Sequence, residues 1–166
     1  MITIISGTNR QDSKTLKIAT HYYNLLKKQH IDVHMLSLLN LEVHFRSDEL
    51  KKIEEELLIP TEKFIIVIPE YNGSYPGIFK TMIDNTDIRK CWWYKKALLV
   101  GVADGRGGNL RGLDDLSNVL HYLRVNVFYN KLPISKINEE LDADGLLQSD
   151  LLQTAIGQQV NGFLEF

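Results

Sequence analysis

Phe64-Ile65-Ile66-Val67-Ile68 runs straight into Pro69-Glu70-Tyr71-Asn72-Gly73-Ser74-Tyr75-Pro76-Gly77-Ile78-Phe79-Lys80, and this stretch decides the fold. Five apolar residues without polar alternation read as a strand buried on both faces. The chain then turns at Asn72-Gly73 and again at Pro76-Gly77 before a helical pattern begins. A buried strand that ends in Glu, Tyr, Asn and Gly brings polar side chains and free amides to the carboxyl edge of a sheet. Open α/β sheets take their ligands at that edge.

Two more segments share this form. Gly7-Thr8-Asn9-Arg10-Gln11-Asp12-Ser13-Lys14-Thr15 follows the strand Ile2 to Ser6. Its hydroxyls, the Arg10 guanidinium and the amides of a helix start suit a phosphate. Read alone, it is equally an ordinary strand-to-helix turn with Ser13 as N-cap. Asp104-Gly105-Arg106-Gly107-Gly108 follows the strand Ala97 to Val102, and its glycines let backbone lie against a flat ligand. Read alone, it is a solvated surface loop. The glycines from 105 to 112 do not form G-x-G-x-x-G, because position 110 is Leu. No Gly-Lys-Ser/Thr occurs either, so neither a dinucleotide fingerprint nor a P-loop is present.

Outward from these loops, strands and helices alternate. A helix is expected from Ser13 to about His30, a strand over Ile31 to Leu36, and a loop over Asn40 to Arg46. A charged helix follows from Asp48 to Leu58, stopped by Pro60. Another helix runs from Ser74 or Tyr75 to about Arg89, with Pro76 in its first turn. A further helix spans Asn109 to Leu123, then a fifth strand Val125 to Tyr129. Ser135 to Asp150 reads as a polar loop, leading into a closing helix from Leu146 to about Phe163. Five apolar strands separated by helices predict one α/β domain over residues 1–166. It is a three-layer sandwich around a five-stranded parallel sheet, in the flavodoxin-like order 2-1-3-4-5.

On these residues the chain resembles the NADPH-dependent FMN reductases, a flavodoxin-like family. Pro69 to Lys80 is nearly the whole of that family's signature loop, and the resemblance extends from Met1 to roughly Leu123. It implies an enzyme that binds FMN and uses NADPH or NADH to reduce a small flavin, quinone or azo acceptor. It places the FMN phosphate on Thr8, Arg10, Ser13 and Thr15, with Lys14 in the same loop. Pro69, Glu70, Tyr71, Asn72 and Gly73 would line the isoalloxazine and ribityl chain, and Gly105, Arg106 and Gly107 would close the other side of the ring. It implies a homodimer or homotetramer. No catalytic side chain and no metal ligand is expected, because the flavin carries the redox chemistry. Departures from the family pattern are Thr8 for Ser, Thr15 for Asn, and Asn85 where an aromatic residue is usual. A flavodoxin-type electron carrier without its own NAD(P)H oxidation is the alternative, and a scaffold that has lost its cofactor a third.

Composition excludes other classes. With 44% apolar and 24% charged residues and a net charge of −2, the chain has the make-up of a globular protein and no basic block for nucleic acid. No apolar stretch reaches the length of a membrane span. The chain enters a strand at Met1-Ile2-Thr3-Ile4 with no signal-peptide pattern, and its single Cys91 cannot pair internally, so the cytoplasm is the expected compartment. Cys91 reads as a half-buried structural thiol. Trp92, Trp93 and Tyr94 read as a packing cluster or an interface, and Tyr75 joins Trp92 and Trp93 as aromatic surface for an oligomer. The five histidines show no metal-ligand spacing.

Overall fold

The computed structural model describes Met1–Phe166. Its strands are β1 (Ile2–Ser6), β2 (Val33–Ser37), β3 (Lys63–Pro69), β4 (Lys96–Val102), β5 (Asn126–Val127) and β6 (Leu132–Ile134). Its helices are α1 (Lys14–Lys28), α2 (Asp48–Ile53), α3 (Gly77–Asn85), α4 (Ile88–Cys91), α5 (Leu110–Tyr122), α6 (Ile137–Glu140) and α7 (Asp150–Glu165). The sheet is parallel in the order β2-β1-β3-β4-β5, and β6 also pairs with β4. No helix is long and apolar enough to cross a membrane.

Alternation along β3 explains the layers. Phe64, Ile66 and Ile68 join one core with α2, α3, α4 and α5, which supply Leu50, Phe79, Cys91 and Leu116. Ile65 and Val67 join the other with α1 and α7, which supply Ile18, Tyr22, Val160 and Phe163. A central parallel strand therefore needs apolar residues at every position, as its sequence shows.

Four expectations change. The helix predicted from Ser74 or Tyr75 to about Arg89 is two helices, the first of which starts at Gly77. Thr86 is extended, Asp87 accepts from the amides of Arg89 and Lys90 at 3.1 Å each, and a new helix starts there. The break is held from outside: the buried Glu54 carboxylate accepts the Asp87 amide at 2.5 Å and the Arg46 guanidinium at 2.7 Å. Upstream, α2 passes into a π-wound turn over Glu54–Leu58. The predicted fifth strand is divided. β5 pairs with the start of β4, the chain bulges outward around exposed Tyr129, and β6 pairs with the end of β4. Pro133 lacks an amide and is tolerated because this is a sheet edge. Within the segment read as loop, α6 forms, and α7 begins at Asp150 because Ser149 caps it through the Leu152 amide at 3.2 Å. Finally, Cys91 and Trp92 are fully buried, not half-exposed, so Trp92 offers no surface to a partner. The Trp92 indole instead donates to Thr86 Oγ1 at 2.9 Å and its ring packs on Phe64 and Phe79. Burial pushes the Cys91 thiol up to about 12, which makes it an inert structural residue.

Candidate functional site

The register sets the carboxyl ends of three strands side by side: Ser6 opposite Val67, and Pro69 opposite Val102. The loops that leave them surround a cleft of about 270 Å³.

In the first loop, Gly7 still donates to Val67 at 2.9 Å. A Cβ there would fall 2.8 Å from Ile68 Cγ2, so glycine lets the chain leave β1 flush against β3. The ladder ends at that point. The amides of Thr8, Asn9, Gln11, Asp12, Ser13, Lys14 and Thr15 have no acceptor within the protein. Ser13 Oγ caps α1 by accepting from Leu16 at 3.1 Å. The Arg10 guanidinium lies 4.0 Å from the centre of the Tyr71 ring, while Tyr71 Oη and Thr8 Oγ1 are 2.5 Å apart. Arg10 enters none of the ion pairs. Its charge is thus available to an anion. Lys14 differs, because its ammonium is held by Asp104 at 2.9 Å and by Asn138.

In the second loop, Tyr71 and Ser74 exchange backbone bonds of 2.9 and 3.2 Å around Asn72 (φ 52°) and Gly73 (φ 85°). Positive φ at both central residues is the type I′ turn, for which Asn-Gly is the preferred sequence. A Cβ on Gly73 would meet only Arg111 Nη1, at 3.8 Å, so backbone conformation and not crowding within the protein requires this glycine. Ser74 Oγ donates to Asp115 at 2.5 Å and ties the turn to α5. In the third loop, the amides from Asp104 to Asn109 again have no protein acceptor. The loop is exposed from Asp104 to Gly107, and a Cβ on Gly107 would lie 3.9 Å from Glu70 Oε2.

Of the residues singled out from sequence, Arg10, Ser13, Lys14, Thr15, Pro69, Glu70 and Tyr71 line the cleft. Thr8 is buried beneath it, bonded to Tyr71. Asn72 and Gly73 form the tip of the turn outside the lining, and Gly105, Arg106 and Gly107 are exposed and also lie outside it, next to Asp104, which lines the cleft. Sequence reasoning missed Asp104 and Asn138, which hold Lys14, and Asn109, which is fully buried and donates to the carbonyls of Ile68 at 3.2 Å and Pro69 at 2.8 Å. Asp104 was visible in its glycine-rich segment. Asn138 and Asn109 act across long sequence separations and carry no local signal.

A model of the NADPH-dependent FMN reductase family matches residues 1–139. A 2-hydroxy-1,4-benzoquinone reductase from a Burkholderia species is 24% identical over 158 residues, covering 90% of this chain and 86% of that protein. Among solved structures, a flavoenzyme NAD(P)H:(acceptor) oxidoreductase from Paracoccus denitrificans is similar with a TM-score of 0.78 and 21% identity, over 99% of this chain and 94% of its own. An NADH:FMN oxidoreductase in its apo form gives a TM-score of 0.72 at 20% identity, over 98% and 89%. A flavodoxin from the Archaea gives 0.60 at 14% identity, over 97% and 95%. These likenesses establish a flavodoxin-like fold, and the sheet of this chain carries the short strand β6 beside β4.

Proposed function

This chain belongs to the NADPH-dependent FMN reductase family and is an NAD(P)H-dependent oxidoreductase, and from that premise we propose that it works through bound FMN on a small quinone, flavin or azo acceptor. The observation that carries this conclusion is the set of amides between Thr8 and Thr15, all but that of Arg10, without protein acceptors, beside an arginine side chain without an acidic partner.

A terminal phosphate needs several converging donors and a compensating cation, and this loop supplies both. Arg10, Ser13, Thr15 and the loop amides would hold it. Lys14 would contribute less, since Asp104 already neutralises its ammonium. A terminal monophosphate favours FMN over FAD. The amides of Asn72 and Gly73 and those from Asp104 to Asn109 are likewise unspent, and they suit the polar edges of the ring and ribityl chain. Bound FMN would supply the hydride chemistry between NAD(P)H and the acceptor. The chain's own part is to bind, orient and carry charge: Arg106 and the Gly107 amide would offset negative charge at the ring edge.

The benzoquinone reductase named above makes a small quinone the first acceptor to try. A reducing compartment such as the cytoplasm suits the buried free thiol. A homodimer or homotetramer belongs to the same proposal, with partly exposed Tyr75 and Trp93 and without Trp92. Light scattering at micromolar concentration checks it, and a clean monomer contradicts it.

The functional test is steady-state oxidation of NADPH and of NADH, with and without added FMN, against a benzoquinone, riboflavin and an azo dye. FMN-dependent turnover with at least one acceptor is expected. FMN binding without any NAD(P)H oxidation would instead make the protein an electron carrier, and failure to bind FMN would remove both.

A further inference from the structure

We infer that Asn109 is the positioning residue of the flavin site. Its carboxamide sets the spacing between the loop after β3 and the loop after β4, and Gly112 is bare to admit it, an inference that rests on the flavin reading of those loops.

Asn109 stands immediately before α5, where an asparagine ordinarily gives its side-chain oxygen to an amide of the first turn. Here it makes no cap bond. Its amide group points back to β3 and donates to both Ile68 and Pro69, the last carbonyls before the Glu70–Ser74 loop. Its Oδ1 is buried and has no donor. The residue therefore forgoes helix capping and leaves a polar atom unpaired in order to hold the end of β3. Departures of this kind from local rules collect at functional sites.

The surrounding glycines fit the same account. A Cβ on Gly112 would lie 2.2 Å from Asn109 Oδ1. A Cβ on Gly101, in β4, would lie 3.1 Å from Asn109 Cβ and 2.2 Å from the Gly108 carbonyl oxygen. Gly108 itself has φ 55° and would strike Pro133 at 2.7 Å, and Asn109 follows at φ 65°, a conformation asparagine tolerates. Gly105, by contrast, has nothing within 4 Å of its Cβ position. Gly112 thus clears space for the carboxamide that joins the two ligand loops, while Gly101 admits the Gly108–Asn109 backbone and Gly108 admits Pro133.

Asn109→Gly keeps the backbone conformation and removes the carboxamide. We expect a folded protein in which the amides of Glu70–Ser74 exchange hydrogen faster, FMN binds about tenfold more weakly, and KM for the acceptor rises more than kcat falls. Gly112→Ala should reproduce these changes by displacing the carboxamide. Added to Asn109→Gly, it should cause no further loss, because the clash is gone and alanine is the better helix former. Gly157→Ala, in open space on α7, is the control and should change neither exchange nor affinity. Wild-type exchange and FMN affinity in Asn109→Gly would overturn the inference, as would equal damage from Gly112→Ala in both backgrounds. If Asn109→Gly does not fold, Asn109→Asp carries the test. It keeps the shape but offers an oxygen to the two carbonyls, so it must loosen the same amides, and wild-type exchange there overturns the inference. Faster exchange in a protein that binds no FMN even as wild type would defeat the flavin reading and leave the spacing role standing. Normal FMN binding with unchanged exchange would do the reverse.

Discussion

The two ends of the sheet carry the same pair of chemical groups and use it differently. At the carboxyl edge, Arg10 lies 4.0 Å over Tyr71. At the amino edge, Arg124 lies 4.1 Å over Trp93, with Arg89 at 5.3 Å from the same ring. Around Trp93 the backbone is spent: Tyr94 donates to Arg124 at 3.0 Å, Asn126 to Lys95 at 2.8 Å and Lys96 to Glu62 at 3.1 Å. Arg124 also donates to the Tyr94 hydroxyl at 2.5 Å. The amino edge is a latch between two loops. Around Tyr71, by contrast, the amides of Asn72 and Gly73 and most of those from Thr8 to Thr15 are unspent. Left-handed backbone occurs at both edges: Tyr94 (φ 63°) and Arg124 (φ 58°) in the latch, and Asn72, Gly73, Gly108, Asn109 and Lys136 (φ 50°) at the carboxyl edge. A cation on an aromatic ring therefore identifies no site by itself. The unsatisfied donors beside it do.

Exchanging the two arginines for alanine separates the edges most sharply. Arg10→Ala should weaken FMN binding by about ten- to hundredfold, since a charge-assisted bond contributes about 1.5–3 kcal/mol, and leave the melting temperature nearly unchanged. Arg124→Ala should do the opposite. Loss of its stacking and its hydroxyl bond should cost about 1–2 kcal/mol in urea unfolding, with FMN affinity as in wild type. If both variants lose FMN equally, the contrast between the edges is wrong.

Gly73→Ala comes next in size. With no clash to relieve, its cost to folding is the positive φ, about 1 kcal/mol. FMN affinity should fall less than in Arg10→Ala. An affinity equal to wild type would show that close approach of ligand to backbone is not the reason for this glycine.

The smallest effect is a pH dependence confined to the amino edge. Burial holds the Lys95 ammonium down to about 8, against 10.5 for a free lysine. Below about 8 both folded and unfolded chains carry the proton, and the penalty is constant. Between about 8 and 10.5 the unfolded chain keeps a proton the folded chain has released, so stability rises with pH. The melting temperature of wild type should therefore gain on that of Lys95→Met as pH rises from 8 to 9. No change in the difference would contradict the assignment.

What could be read from sequence follows from how far each cause reaches along the chain. The apolar run Phe64 to Ile68 is its own evidence for a central strand, and five strands with right-handed helical crossovers limit the order to few choices, of which the expected one is found. Ser13 as a cap and Asn72-Gly73 as a turn are local choices, and both appear where expected. The break at Thr86 was missed because Glu54, over thirty residues away, holds the Asp87 amide. The last strand divides at Phe128, which packs against Phe163 and Phe166 from the far end of the chain, a contact with no local signal. Asn109 was missed for the same kind of reason, since its partners lie on β3.

The central claim is that FMN binds at the carboxyl edge, where donors are unspent. It is tested most directly by titrating isotopically labelled protein with FMN and following each backbone amide by NMR. The account predicts saturable shifts at Asn9 to Thr15, at Asn72 and Gly73, and at Asp104 to Asn109, with Trp93 to Lys96 and Leu123 to Asn126 unmoved. Shifts centred on the amino edge, or a spectrum indifferent to FMN, would contradict it.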